Sequence, residues 1–253
     1  MSQTGVKPRV RAVLFDLDGT LVDSAPDLAG AVNDMRAARG LNAVDFGALR
    51  CMAGSGARGM LARAFDIAPN QPGYDGLRDE FHDRYARRML RTSVLFAPVE
   101  QVLEQLDALP LPWGIVTNKA LRFADPLATA LGLWPRARTL VAGDTTPHTK
   151  PHPAPLLEAA RQLAMPAANC VYVGDDLRDI QAARAAGMGA AAAAWGYLGP
   201  GAGAHEWGAD VVLDTPADLL QWLKWASDWH LGTDWASTWV LSRRGACRAP
   251  VRS

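Results

Sequence analysis

From residue 99 onward the sequence repeats one pattern: a helix-length segment with apolar side chains three or four apart, then a short apolar run. The helix-like segments are 99–109, 121–131, 153–164, 177–186 and 217–225, and the runs among them are 113–116, 139–142, 170–173, 188–194 and 211–213. Strands separated by a helix cannot pair as hairpins; they lie parallel, with the helices as crossovers. Val10-Arg11-Ala12-Val13-Leu14-Phe15, closed by Asp16 and Gly19, supplies one more strand far upstream. In between, 45–52, 57–65 and 74–89 have helical periodicity and no convincing strand, with Gly54-Ser55-Gly56 as a break. The expected fold is α/β. A doubly wound parallel-sheet core of residues 1–22 and 96–224 is interrupted by an all-helical cap over 23–95.

Local signals refine this frame. Ser24, with Pro26 and Asp27 behind it, reads as the N-cap of a helix that Gly40 ends. Gly189 and the alanines up to Ala194 form a low-complexity run of poor strand formers, which fits a tightly packed central strand. Residues 225–253 form a Trp-rich, partly disordered extension; Trp222, Trp225 and Trp229 fall on one helical stripe that packs on the body.

The charge balance excludes several classes. With 26 Lys+Arg against 26 Asp+Glu the net charge is +0, so no broad field exists for nucleic acid or an anionic membrane. No apolar run is long enough to span a bilayer, and the first eleven residues hold no signal core. Cys51, Cys170 and Cys247 match neither a disulfide framework nor metal-ligand spacing. A cytoplasmic protein is expected; its oligomeric state is not legible. Inside the balance, Lys is scarce: four Lys stand against 22 Arg, so a retained Lys is informative.

In an open α/β sheet, ligands bind beyond the carboxyl ends of the strands. The residues there are Asp16, Asp18, Gly19 and Thr20; Thr117, Asn118 and Lys119; Asp144 and Lys150; and Asp175, Asp176 and Asp179. Converging carboxylates repel unless a hard cation sits among them, and Mg²⁺ prefers oxygen ligands together with a substrate phosphate. Lys150 offers a point charge and Thr117 a hydroxyl to phosphoryl oxygens. Asp16 and Asp18, two apart in a loop, suit a nucleophile and a general acid/base. The set reads as metal-assisted phosphoryl transfer on a small phosphorylated metabolite. A plain turn after a strand is the bland alternative for the two aspartates, as surface charge is for Lys150.

Phe15-Asp16-Leu17-Asp18-Gly19-Thr20-Leu21 resembles the DxDGT signature of the haloacid dehalogenase-like hydrolases. Thr117, Lys150 and Gly174-Asp175-Asp176-Leu177-Arg178-Asp179 resemble that family's later motifs, in order, and the likeness covers about residues 9–224. The resemblance implies a Rossmann-like core with a helical cap. It also implies roles: Asp16 as nucleophile through an aspartyl-phosphate, and Asp18 as acid, then base. Thr117, Lys150 and the amides of Leu17 and Asn118 would hold the phosphoryl group. Mg²⁺ would be bound by Asp16, the Asp18 carbonyl and Asp175, with Asp179 acting through water. Asp176 departs from the small polar residue of many relatives and would share the metal role from outside. An aspartate titrating near ~3.9 when free needs burial or negative neighbours to act as an acid near neutrality, so one or the other is expected around Asp18.

Dehalogenating members lack the second aspartate, which is present here as Asp18. Members that form a Schiff base use a cap Lys, and this chain has none from Val22 to Val116. The nearest likeness is to bacterial phosphoglycolate phosphatases, in Asp23-Ser24-Ala25-Pro26 and Lys150-Pro151-His152-Pro153. The phosphatases of N-acetylmuramic acid 6-phosphate are matched as well, in Gly56-Ala57-Arg58 and Arg122-Phe123-Ala124. Arg58 is the cap residue expected to read the substrate. A non-catalytic binding module is the remote alternative.

Overall fold

The computed structural model of the chain describes residues 10–109 and 111–226. Most of the Trp-rich extension, including Trp229, Trp235 and Trp239, lies outside them. Strand β1 (Ala12–Phe15) is followed by the short β2 (Val22–Asp23). Four helices come next: α1 (Ala25–Ala37), α2 (Phe46–Arg50), α3 (Gly56–Phe65) and α4 (Tyr74–Ala86). Strand β3 (Val94–Leu95) pairs antiparallel with β2, so the chain leaves and re-enters the sheet domain side by side. The alternation then runs α5 (Val99–Ala108), β4 (Trp113–Val116), α6 (Leu121–Ala130), β5 (Leu140–Val141) and α7 (Ala154–Gln162). It ends with β6 (Cys170–Gly174), α8 (Leu177–Ala186), β7 (Gly189–Ala193), β8 (Val211–Leu213) and α9 (Asp218–Ala226).

The six long-range strands form one parallel sheet in the order β5-β4-β1-β6-β7-β8. The chain winds outward from β1 in both directions, so the carboxyl end of β1 is the switch point where a crevice opens. Side chains alternate between the two faces. Val13, Phe15, Val171, Val173, Ala191 and Ala193 enter one core, while Ala12, Leu14, Cys170, Tyr172, Ala190 and Ala192 enter the other. The alanine run is a buried inner strand between β6 and β8, as its composition suggested. Trp222 of α9 packs against the first of these cores.

Helices α1, α3 and α4 enclose a third apolar core of Leu28, Val32, Met35, Met60, Leu61, Phe81 and Tyr85, among others. Two residues from the sheet domain complete it: Phe123 of α6 and Tyr197, which follows β7.

The start of α1 departs from the sequence reading. Ser24 occupies the N-cap position, but its side chain makes no cap hydrogen bond. Its hydroxyl donates to Asp18 instead. The free helix N–H groups of Ser24 and Ala25 donate to the Tyr197 hydroxyl, at 2.8 and 2.9 Å. A residue of the sheet domain thus caps the first cap helix. Tyr197→Phe strands those two N–H groups at a cost of about 1–3 kcal/mol. At roughly 2–4 °C per kcal/mol for a chain of this size, thermal melting should come several degrees lower. A melting temperature unchanged within a degree would remove Tyr197 as the cap.

Candidate active site

Three strand ends and one loop build the site. Asp16 follows β1, Thr117 follows β4, Asp175 follows β6, and Lys150 comes from the loop after β5. Asp16, Asp175 and Asp179 are buried, and each offers one oxygen within 4.8 Å of the others. Lys150 lies among them, its Nζ 2.9 Å from Asp16 Oδ1 and 2.7 Å from Asp179 Oδ1. It also donates to the Tyr172 hydroxyl at 2.6 Å. Asn118 fixes the loop that delivers this Lys: its side chain accepts from the Lys150 amide at 2.9 Å and donates to the Lys150 carbonyl at 3.0 Å.

Asp175 sits in a cradle only glycine permits. A Cβ on Gly19 would come within 2.1 Å of Asp175 Oδ2, and one on Gly196 within 2.2 Å of Asp175 Cβ. Asp175 accepts from the Thr20 hydroxyl at 2.9 Å and from the Tyr197 amide at 2.8 Å. Gly19 has φ +91°, the left-handed turn that brings the chain round between the two aspartates of the loop and β2.

The electrostatics favour a cation. Burial, with Asp179 and Asp18 adding and Lys150 opposing, pushes the Asp16 carboxyl up to about 6. Burial, with Asp16 and Asp179 adding, raises Asp175 well above the ordinary carboxylate range. Burial works against the charge on Lys150, but the same carboxylates outweigh it and hold its pKa above the usual value. Although Asp16 Oδ1 is ion-paired with Lys150, no hydrogen bond of good geometry meets it. Hard oxygen donors, mutual repulsion and an oxygen left short of partners fit a hard divalent cation.

Asp18 points another way. Lys119 Nζ donates to its two oxygens at 3.1 and 3.0 Å, and the Ser24 hydroxyl donates to Oδ1. The charge in contact with Asp18 is therefore a buried ammonium, and not one of the negative neighbours that the sequence reading named beside burial. Asp16 and Asp18 line a cavity of about 340 Å³ together with Thr117, Asn118 and Lys119. Gly54-Ser55-Gly56-Ala57, Phe81, His82 and Tyr85 close it from the helical side.

A family model described as haloacid dehalogenase-like hydrolase matches residues 10–187. The chain belongs to that family. An N-acetylmuramic acid 6-phosphate phosphatase of Pseudomonas putida is 44% identical over 211 residues, 83% of this chain and 95% of that protein. A phosphoglycolate phosphatase of Xanthomonas campestris pv. campestris is 45% identical over 218 residues, 85% of this chain and 97% of that one. Among solved structures, a predicted phosphoglycolate phosphatase from Haemophilus somnus superposes with a TM-score of 0.75 at 28% identity, covering 84% of this chain and 97% of that one.

In this haloacid dehalogenase-like hydrolase, Asp16, Lys150, Asp175 and Asp179 converge, and Thr117 is buried at the same edge. The amides of Leu17 and Asn118 carry no hydrogen bond among the described residues. Two residues lie elsewhere. Asp176 caps α8 through the Arg178 amide at 2.9 Å and pairs with the Arg178 guanidinium at 2.8 Å, so its carboxylate stays out of the acidic cluster. Arg58 is exposed and does not line the cavity. On α3 the inward face is Ala57, Met60, Leu61 and Ala64, and Arg58 falls on the outward side with Ala62.

Lys119, Ser24, Arg178 and Tyr85 are the site residues that sequence reasoning passed over or left undecided. Its place after a strand and the scarcity of Lys both pointed at Lys119. No helix among the described residues is long and apolar enough to cross a membrane.

Proposed function

We propose that the chain is a Mg²⁺-dependent phosphomonoesterase that hydrolyses a small organic phosphate through an aspartyl-phosphate on Asp16. The observation that carries this reading is the division between two aspartates two positions apart. Both line the cavity, but Asp16 meets the buried cluster of Lys150, Asp175 and Asp179, while Asp18 meets Lys119 and Ser24. Carboxyl groups held in different environments take different roles.

Asp16 attacks phosphorus, and the ester oxygen leaves with a proton from Asp18. The same group then takes a proton from the water that hydrolyses the acyl-phosphate. Lys150 and the Thr117 hydroxyl hold phosphoryl oxygens, with the amides of Leu17 and Asn118 as further donors. Asp16, Asp175 and the Asp18 carbonyl would hold the cation. Asp179 acts through water, since its oxygens already accept from Lys150 and from the Asp176 amide. The bound cation would neutralise the gathered carboxylates and polarise the phosphoryl group.

Phosphoglycolate is the first substrate to test. The roughly 340 Å³ cavity, with Phe81, Tyr85 and Phe123 on its wall, also has room for a sugar leaving group. N-acetylmuramic acid 6-phosphate therefore stands beside it. The test is phosphate release from both esters, with and without Mg²⁺, in one assay series. Turnover of no phosphate ester with any divalent metal would overturn the phosphomonoesterase reading. A hundredfold preference for the sugar phosphate would reject phosphoglycolate. A cytoplasmic location belongs to the same proposal, supported by Cys51 and Cys170 being unpaired thiols.

Metal dependence should be visible in stability as well as activity. In the metal-free protein Asp16 holds its proton up to about pH 6, and Asp175 is raised in the same direction. The unfolded chain loses these protons near pH ~4. The stabilisation is therefore complete below about pH 4 and is lost as pH rises through about 6. A cation replaces those protons, so the rise in melting temperature on adding Mg²⁺ should be larger at pH 7.5 than at pH 5. A larger rise at pH 5 would contradict the assignment.

A further inference from the structure

Helix α4 turns Phe81, His82 and Tyr85 toward the cavity. Tyr85 is only 2% exposed, yet its hydroxyl donates to no acceptor among the described residues. Buried hydroxyls are nearly always bonded, so one left open on a cavity wall marks a place for something that enters the cavity. The Lys119 ammonium lies 4.5 Å from the centre of the Tyr85 ring, and it already donates to both oxygens of Asp18. A cation carries no acceptor. The phenolic proton therefore has no acceptor among the described residues. Burial pushes the Tyr85 hydroxyl up to about 12, so at neutral pH it is a donor.

We propose that Tyr85 is a substrate-binding residue whose hydroxyl donates to an acceptor oxygen on the leaving group, on the side of the cavity where Asp18 lies. The inference rests on the phosphomonoesterase reading and adds a substrate class to it. The ester carries an acceptor oxygen, such as a carboxylate, near its ester carbon. A short phosphorylated acid offers its carboxylate there, and a sugar 6-phosphate its ring oxygen or 4-hydroxyl.

The test compares Mg²⁺-loaded wild type with Tyr85→Phe on 2-phosphoglycolate, N-acetylmuramic acid 6-phosphate and ethyl phosphate, which lacks the acceptor. For the better-used acceptor-bearing ester, kcat/KM relative to ethyl phosphate should fall about tenfold, mostly through KM. Which ester suffers the loss identifies the leaving group. The melting temperature of metal-free Tyr85→Phe should be no lower than that of wild type, because the hydroxyl donates no bond among the described residues. A ratio within threefold of wild type overturns the inference, since water then satisfies the hydroxyl. A melting temperature several degrees lower also overturns it, since the hydroxyl is then bonded within the fold. Either result leaves wild-type turnover standing. If wild type turns over no ester, the phosphomonoesterase reading fails and this inference fails with it.

Discussion

Asp16→Asn should remove phosphate release altogether, by a factor on the order of 10⁴ or more, the scale seen when a nucleophile is deleted from a site that acts as a unit. The substitution keeps the shape of the side chain and removes the attacking charge. It also takes one carboxylate from a buried cluster in which Asp16, Asp175 and Asp179 repel one another. The fold should therefore survive, with metal-free melting equal to or above wild type. Mass spectrometry of acid-quenched protein during turnover should find one added phosphoryl group on wild type and none on the variant. An active Asn variant would remove Asp16 as the nucleophile, and the division of roles between the two aspartates with it.

Lys150→Met should have the largest effect on stability. The ammonium is almost fully buried, with its side chain 2% exposed, and it is the cation in contact with both Asp16 and Asp179. Deleting one partner of a buried ion pair leaves uncompensated charge and costs about 3–5 kcal/mol. For a chain of this length that corresponds to roughly 6–20 °C in melting temperature. Activity should fall by about 10²–10³, the usual cost of removing one preorganised group that faces developing phosphoryl charge. Because a divalent cation bound as proposed would neutralise the same carboxylates, saturating Mg²⁺ should restore part of the lost stability and little of the activity. A Met variant that melts within two degrees of wild type would show that Lys150 does not hold this cluster together.

Much of this was legible in the sequence, and the reason is geometric. Asp16, Thr117 and Asp175 each stand directly after a short apolar run, so naming the strands also names the edge where they gather. Lys150 stood out because the chain has so few Lys residues. The alternation of helices and runs likewise dictated the parallel sheet, since a crossover helix leaves no other pairing. What stayed hidden depends on partners far away in sequence. Lys119 meets Asp18 across 101 residues, and Tyr197 meets Ser24 across 173.

Local rules misled for reasons both near and far. Ser24 has the composition of an N-cap, but its hydroxyl serves Asp18 and Tyr197 caps the helix in its place. Asp176 was read with its acidic neighbours, whereas the first turn of α8 and Arg178 claim its carboxylate. Strands β2 and β3 are two residues each, too short for any period to register. Arg58 was chosen for its charge beside a glycine pair, and the phase of α3 turns it outward.

The inner strand of alanines has a consequence for inheritance. Ala190, Ala191, Ala192 and Ala193 are fully enclosed, two against each face of the sheet. A single base change in an alanine codon yields Val, Thr, Ser, Pro, Asp, Glu or Gly. Of these, Gly alone adds no atoms, and it weakens a strand interior. Adding bulk to a filled core typically costs about 1–3 kcal/mol, and a new carboxylate or a proline there costs more. Every single-base change at these four consecutive positions thus carries a stability cost, and the fold favours alanine at each.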